Sequence, residues 1–220
     1  MVAAKQDALA PDPEITMRRA PSQRRSRERV EHILSCASKL IAERGSDAMR
    51  MSEVAELSGI SIGSLYQYFP DKAAIVRTLA ERYNVTSRAC IAEGLAAVKT
   101  PGGLDAAFSA LIDEYYMIFL AEPVMRDVWS AMQADAALRD IELRESRQNA
   151  ALLADALRRA YPDADSGRLQ AAALLMMHLG ECTMRLAVSV GGAEGRALVD
   201  AFKVMARRNF EANGNDAAPG

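Results

Sequence analysis

The chain has 220 residues, 50% of them hydrophobic and 25% charged, which suits one or two globular domains with a real core and excludes a disordered tail or a miniprotein. Lys and Arg number 27 against 29 Asp and Glu, a formal net charge of -2, so bulk charge cannot coat nucleic acid and any DNA binding must be local. No apolar run approaches the roughly 18–20 residues of a membrane span, and Met1 to Arg19 lacks the apolar stretch of a signal peptide. The expectation is a soluble, cytoplasmic protein with no membrane partner.

Residues 1–21 carry Pro11, Pro13 and Pro21 with little periodicity and are expected to form a flexible basic leader. Residues 1–84 hold 13 basic against 11 acidic side chains, while residues 85–220 hold 14 against 18. Arg18, Arg19, Arg24, Arg25, Arg27 and Arg29 fall within a dozen residues with only Glu28 to offset them, a patch that suits phosphates or a solvated arm. Order is expected from Ser22. Val30, Ile33, Leu34, Ala37, Leu40 and Ile41 then recur at helical spacing on a helix that stops at Gly45. Two short segments follow, Met51 to Ser58 and Ile62 to Tyr68. Between them Gly59-Ile60-Ser61 forms a turn in which Ser61 can cap the second segment. Pro70 breaks the chain again and the Asp71 carboxylate can cap a helix running to about Val98.

Further breaks stand at Thr100-Pro101-Gly102-Gly103, Glu122-Pro123, Tyr161-Pro162-Asp163 and Gly191-Gly192, giving about nine helices and no convincing strand, an all-α fold. Asp140 with Arg144 and Asp155 with Arg159 stand at a favourable i, i+4 spacing on what reads as a solvated surface. Toward the end, Leu169, Ala172, Ala173, Met176, Leu179, Gly180, Thr183, Leu186, Ala187 and Val190 form one stripe, with Leu198, Ala201, Phe202 and Met205 on the next helix. Such helices can cover their own core or form a four-helix interface with a two-fold partner. Cys36, Cys90 and Cys182 lie far apart with no CxxC pair, so reduced and mostly buried thiols are expected, with no disulfide framework, metal site or cofactor.

The succession of helix, short helix, Gly turn and short helix is that of a helix-turn-helix, whose second short helix enters the major groove. Ile62-Gly63-Ser64-Leu65-Tyr66-Gln67-Tyr68 offers small or polar exposed positions (Gly63, Ser64, Gln67) beside apolar anchors (Ile62, Leu65) that can pin the helix to its neighbours. Gln can read adenine edges, and Ser or Tyr hydroxyls can reach phosphates. Over residues 25–84 the chain resembles the TetR-type transcriptional regulators. The resemblance rests on Ile33-Leu34, Ala37, Glu43-Arg44-Gly45, Val54-Ala55, Gly59-Ile60-Ser61, Gly63 and above all Leu65-Tyr66-Gln67-Tyr68-Phe69-Pro70-Asp71-Lys72.

That resemblance implies an all-helical homodimer that binds double-stranded operator DNA and a small-molecule effector, and that usually represses transcription. It implies a DNA-binding domain over residues 22–72, a ligand-binding and dimerisation domain over 73–212, and a flexible tail over 213–220. Ser61, Gly63, Ser64, Tyr66, Gln67 and Tyr68 would then face DNA. Lys72 would hold a phosphate, and Arg25 and Arg27 would extend the contact. Two positions depart from the family pattern. Arg50 stands where Thr commonly opens the first helix of the motif, so Ser52 is expected to cap it and Arg50 to add a phosphate contact. Ile62 stands where many members have Lys, which shifts affinity onto Arg25, Arg27 and Lys72. Dimerisation would use the stripes of the last two helices.

For the sensor half the resemblance supplies a location and no ligand. Aromatic and sulfur side chains concentrate at Tyr115, Phe119, Trp129, Met132 and Met177, which suits a pliable apolar cavity or ordinary core packing. His178 and Glu181, three apart on one helix, can orient a polar or cationic part of a ligand or satisfy each other. The expected lever is the helix from Asp71 to Val98, which starts beside Lys72 and ends against the sensor half. Two rival readings remain, a helical ligand-binding or scaffolding bundle without operator binding, and an enzyme. The second finds no Gly-rich phosphate loop, HExxH or GxSxG, and no catalytic residue is assigned.

Overall fold

A computed structural model describes residues 13–134 and 136–214, with side chains from residue 24 onward except at 123, 130 and 132–142. The described residues form nine helices: α1 Pro13–Arg44, α2 Met51–Leu57, α3 Ile62–Tyr68, α4 Lys72–Ala96, α5 Pro101–Ala121, α6 Pro123–Ala134, α7 Ala136–Ala160, α8 Ser166–Val190 and α9 Gly192–Gly214. Helix α1 thus starts well before Ser22. Pro13 sits in its first turn, where a missing N–H breaks no intrahelical bond, whereas Pro21 lies inside the helix and leaves the Met17 carbonyl without its N–H donor. Residues 1–12 of the expected leader and 215–220 of the expected tail lie outside the described residues.

Local chemistry sets several of the helix ends. The Ser61 hydroxyl accepts from Ser64 N at 3.1 Å, Asp71 from Ala74 N at 2.7 Å, Thr100 from Gly103 N at 3.1 Å and Asp165 from Arg168 N at 2.8 Å. Each occupies one donor of a first turn that has no partner within its helix. Gly45 (φ 83°), Gly59 (φ 65°) and Gly191 (φ 71°) close α1, the α2–α3 turn and α8 in the left-handed region, where a side chain is strained.

At α2 the expectation of a Ser52 cap fails. Ser52 is exposed, and it is Glu53 that accepts the Arg50 backbone N–H at 3.2 Å while holding the Arg44 guanidinium at 2.9 Å. A guanidinium has no acceptor, so Arg50 could not cap this end itself, and the carboxylate at the third helical position supplies the missing group.

Two apolar cores organise the chain. The first is built from Ile33, Leu34, Leu40 and Ile41 of α1, Val54 of α2, Leu65 of α3 and Ile75, Val76 and Leu79 of α4. Each such side chain, when fully buried, contributes roughly 1.5–3 kcal/mol of transfer free energy. Val124 and Val128 of α6 complete this core, so it draws on residues that a division after Lys72 assigns to the sensor half. The second core gathers Ile91 and Leu95 of α4, Phe108, Ile112 and Phe119 of α5, Met125 and Trp129 of α6, and the inner faces of α7, α8 and α9.

By length and mean hydropathy α8 could cross a membrane, yet it carries Glu181 and Arg185 and packs against α5, α7 and α9 as a core helix. The pairing expected on α7 is also rearranged. Asp155 binds Arg158, and Arg159 instead donates to the carbonyls of Leu95 at 2.6 Å and Val98 at 2.9 Å, closing the C-terminal end of α4. The side chain of Asp140 lies outside the described residues.

Candidate nucleic-acid interface and internal cavity

Leu65 is fully buried and Phe69 nearly so, which pins α3 against α2 and α4. The neighbouring Ser61, Gly63, Tyr66 and Gln67 are exposed, and Ser64 and Tyr68 are half-buried. A Cβ built on Gly63 meets nothing within 4 Å, so packing inside the chain does not demand glycine there. The exposed positions of α3 face away from the first core, and Ile62, expected with Leu65 to anchor the helix, is 42% exposed and leaves that role to Leu65. Arg25 and Arg27 are exposed on α1, and Arg50 is exposed at the start of α2. The Lys72 ammonium donates to the Asp47 carbonyl at 3.0 Å, which ties α4 to the α1–α2 turn. An ammonium has three donors, so this bond leaves capacity for a phosphate oxygen.

A cavity of ≈ 110 Å³, measured as space open to the centre of a water-sized sphere, lies in the second core between α4, α5, α6, α7 and α8. It is many times the roughly 10–15 Å³ that one water needs. Helix α4 lines it with Tyr83, Thr86, Ser87, Cys90, Ile91 and Leu95, and α5 with Phe108, Leu111, Ile112, Glu114, Tyr115 and Ile118. Met125, Asn149, Met176, Met177, Gly180 and Glu181 complete the wall. Burial, and after it the Glu122 carboxylate, pushes the Tyr83 phenol above its ordinary value, so it stays a neutral donor. Glu181 is 5% exposed and accepts from the Ser146 hydroxyl at 3.3 Å.

Of the residues expected to meet a ligand, Tyr115, Met177 and Glu181 line this cavity. Phe119 and Trp129 stand behind the wall: Phe119 packs on Tyr115 with centroids 4.9 Å apart, and Trp129 on Phe119 at 6.1 Å. His178 lies on the outer side of α8, 49% exposed, with Nδ1 3.9 Å from a Glu181 oxygen, too far for a good hydrogen bond. The side chain of Met132 lies outside the described residues. The polar wall of α4, Tyr83, Thr86, Ser87 and Cys90, was not foreseen from sequence. Its signal is polar residues on the stretch of α4 between the part that fills the first core and the part that fills the second.

The expected dimer stripe is corrected more strongly. Leu169, Ala173, Met176, Gly180, Ala187 and Phe202 are all buried in the chain's own core, and Gly180 packs directly against the Phe202 ring. Thr183 is half-buried and bonds back to the Leu179 carbonyl at 2.7 Å, and Met205 is 44% exposed. A strong apolar stripe on a helix marks its most buried face, and in this chain that face looks inward. Leu186 (52%) and Val190 (41%) of the expected stripe do face outward, with Leu175 (50%) on α8 and Val204 (42%) and Met205 on α9.

Between interface and cavity stands α6. Val124 and Val128 enter the first core while Met125 and Trp129, one residue further along, enter the second. Asp127 accepts the Ser46 backbone N–H beside Gly45, at the turn that leads into α2. Helix α4 makes the same passage, from Ile75 to Leu79 in the first core to Ile91 and Leu95 in the second. Two helices, and not α4 alone, connect the reading head to the cavity wall.

Residues 33–79 match the family model of bacterial regulatory proteins of the tetR family, and residues 102–213 match that of the tetracyclin repressor-like C-terminal domain. The chain belongs to the TetR family. The matched N-terminal segment contains α2 and α3, the helix-turn-helix of the fold. Among curated proteins it is similar to the HTH-type transcriptional repressor KstR of Mycolicibacterium smegmatis, 34% identical over 73 residues, which are 31% of this chain and 36% of that protein. The match spans about a third of that relative's length. In fold it is similar to a TetR-family regulator from Streptomyces coelicolor, with TM-score 0.63, 23% identity and coverage of 84% of this chain and 99% of the other. It is similar too to the fatty acid degradation regulator FadR of Bacillus halodurans, with TM-score 0.63, 16% identity and coverage of 81% and 94%.

Proposed function

We propose that this TetR-family regulator is a repressor that holds a palindromic operator as a homodimer and releases it when a small, mainly apolar effector fills the cavity. The observation that carries the proposal is the double membership of α4 and α6. Each builds the core that supports α3 and each lines or backs the cavity, so a ligand that needs a different cavity shape must bias the position of the reading heads. In a dimer the two α3 helices must sit one turn of DNA apart, roughly 34–36 Å, and a change in that spacing weakens binding to both half-sites together.

Tyr66, Gln67, Ser61, Ser64 and Tyr68 are the proposed reading side chains, and Arg25, Arg27, Arg50 and Lys72 the proposed phosphate contacts. The outward faces of α8 and α9, with Leu175, Leu186, Val204 and Met205, are the proposed dimer surface in place of the inward stripe. Affinity for duplex DNA measured across a salt series tests the reading. It should fall steeply, with a slope of about -0.9 per phosphate contacted. A flat response contradicts operator binding and leaves a ligand-binding bundle.

A further inference from the structure

We propose that Ile62 is a specificity-determining residue of the operator contact and reads the 5-methyl group of a thymine in the major groove; this rests on the reading of α3 as the helix that enters that groove. Ile62 is 42% exposed and Tyr66, one turn further along α3, is 50% exposed. Residues four apart adjoin on a helix surface, so the two form one apolar edge of the face that also carries Gly63 and Gln67. Ile60 and Tyr68, by contrast, are half-buried against the first core. The apolar side chains of this stretch therefore divide into an inward set and an outward pair.

The outward isoleucine is held in one place. Ser61 caps α3, its hydroxyl accepting from Ser64 N at 3.1 Å and its carbonyl from Leu65 N at 3.0 Å, and the buried Leu65 fixes the roll of the helix. Isoleucine is β-branched and keeps one strongly preferred χ1 rotamer in a helix, so little side-chain freedom is lost when a surface closes on it. Gly63 adds no side chain next to it, at a position where a Cβ would meet nothing within 4 Å of the chain itself. The start of α3 can thus come close enough to a base edge for a short aliphatic side chain to reach it.

An aliphatic side chain has neither donor nor acceptor, so it can hold no phosphate and can pair with no polar base edge. The thymine methyl is the one apolar group that the bases present in the major groove. Covering it removes apolar surface of both partners from water. A cytosine at the same place would instead set Ile62 against an N4 amino donor and leave that donor short of a partner. Gln67, on the same face, carries the amide that suits an adenine edge, so the two side chains favour A·T pairs through different groups.

The probe is the duplex that the purified full-length protein selects from random DNA, remade with one thymine at a time replaced by deoxyuridine, which lacks only the methyl group. At one thymine of a half-site the replacement should weaken binding by the parent about fourfold, the factor that one buried methyl supplies. Protein and DNA changes together form a double-mutant cycle, and in Ile62→Ala the same replacement should change affinity by less than about 1.5-fold. Salt is lowered for both proteins alike where the variant binds too weakly to compare, and their salt slopes should agree, because Ile62 holds no phosphate. A parent indifferent to every replacement, or a sensitivity that Ile62→Ala retains in full, overturns the proposal while leaving operator binding in place. Failure of the parent to select any duplex overturns the reading of α3 as well.

Discussion

Leu65, fully buried, and the exposed Tyr66 and Gln67 beside it divide the labour of α3: one fixes the helix and the others meet what lies outside. Leu65→Ala should therefore cost about 2–5 kcal/mol of stability, read from denaturant unfolding. Gln67→Ala should leave the unfolding midpoint nearly unchanged and remove about 1–3 kcal/mol of discrimination at one base pair, read by titration against substituted duplexes. A loss of stability in Gln67→Ala equal to that in Leu65→Ala would contradict this division. Much of this was legible because a seven-residue helix that buries Leu65 and leads into the buried Phe69 has few ways to turn, although Ile62 was expected inside and is exposed. The capping of α2 was not legible. Its partner, Glu53, acts through a contact with the backbone of Arg50 that spacing permits but does not require.

On the scale of single helices, the ends of α4 and the position of α6 depend on tertiary contacts. Arg159→Ala should leave the Val98 carbonyl without its guanidinium donor and the Leu95 carbonyl with only backbone N–H partners, and lower stability by about 1 kcal/mol, whereas Asp155→Ala, which removes only a surface ion pair, should change it by less than about 0.5 kcal/mol. Thermal unfolding of the two variants checks the contrast. Asp127→Ala removes the acceptor of the Ser46 N–H and should speed hydrogen exchange at Ser46 with little effect on residues of α8. Equal protection of Ser46 in variant and parent would mean that α6 does not hold the head through that turn. From sequence, Val124, Met125, Val128 and Trp129 read as one apolar segment. Pairs at i and i+1, repeated four residues on, fall on one broad arc of a helix, and nothing in the segment says that the two edges of that arc belong to different cores.

For the whole molecule, the nine-helix outline followed from prolines, glycines and periodicity, since these local signals decide where helices start and stop. Which face of α8 and α9 looks inward did not. The longest stripe of small and apolar residues, Leu169 to Ala187, packs inside the chain, and the outward apolar residues are more widely spaced and interrupted by His178 and Cys182. The proposed dimer surface separates the two faces experimentally. Leu186→Lys should yield a folded monomer in sedimentation velocity, because a charge is then desolvated across a two-fold interface, while Ala173→Leu should disturb folding and leave association secondary. A dimer undiminished in Leu186→Lys would place the interface elsewhere.

The central claim is that α3 reads a specific duplex as one of two symmetric heads. Selection of bound duplexes from random DNA by the purified protein, repeated with Tyr66→Ala, Gln67→Ala and Lys72→Ala across a salt series, tests it most directly. A palindromic consensus is predicted, with half-sites one helical turn apart or a multiple of it, enriched by the parent and lost in the α3 variants. No enriched sequence at any salt, or a consensus that the Tyr66 and Gln67 variants retain unchanged, would contradict the account.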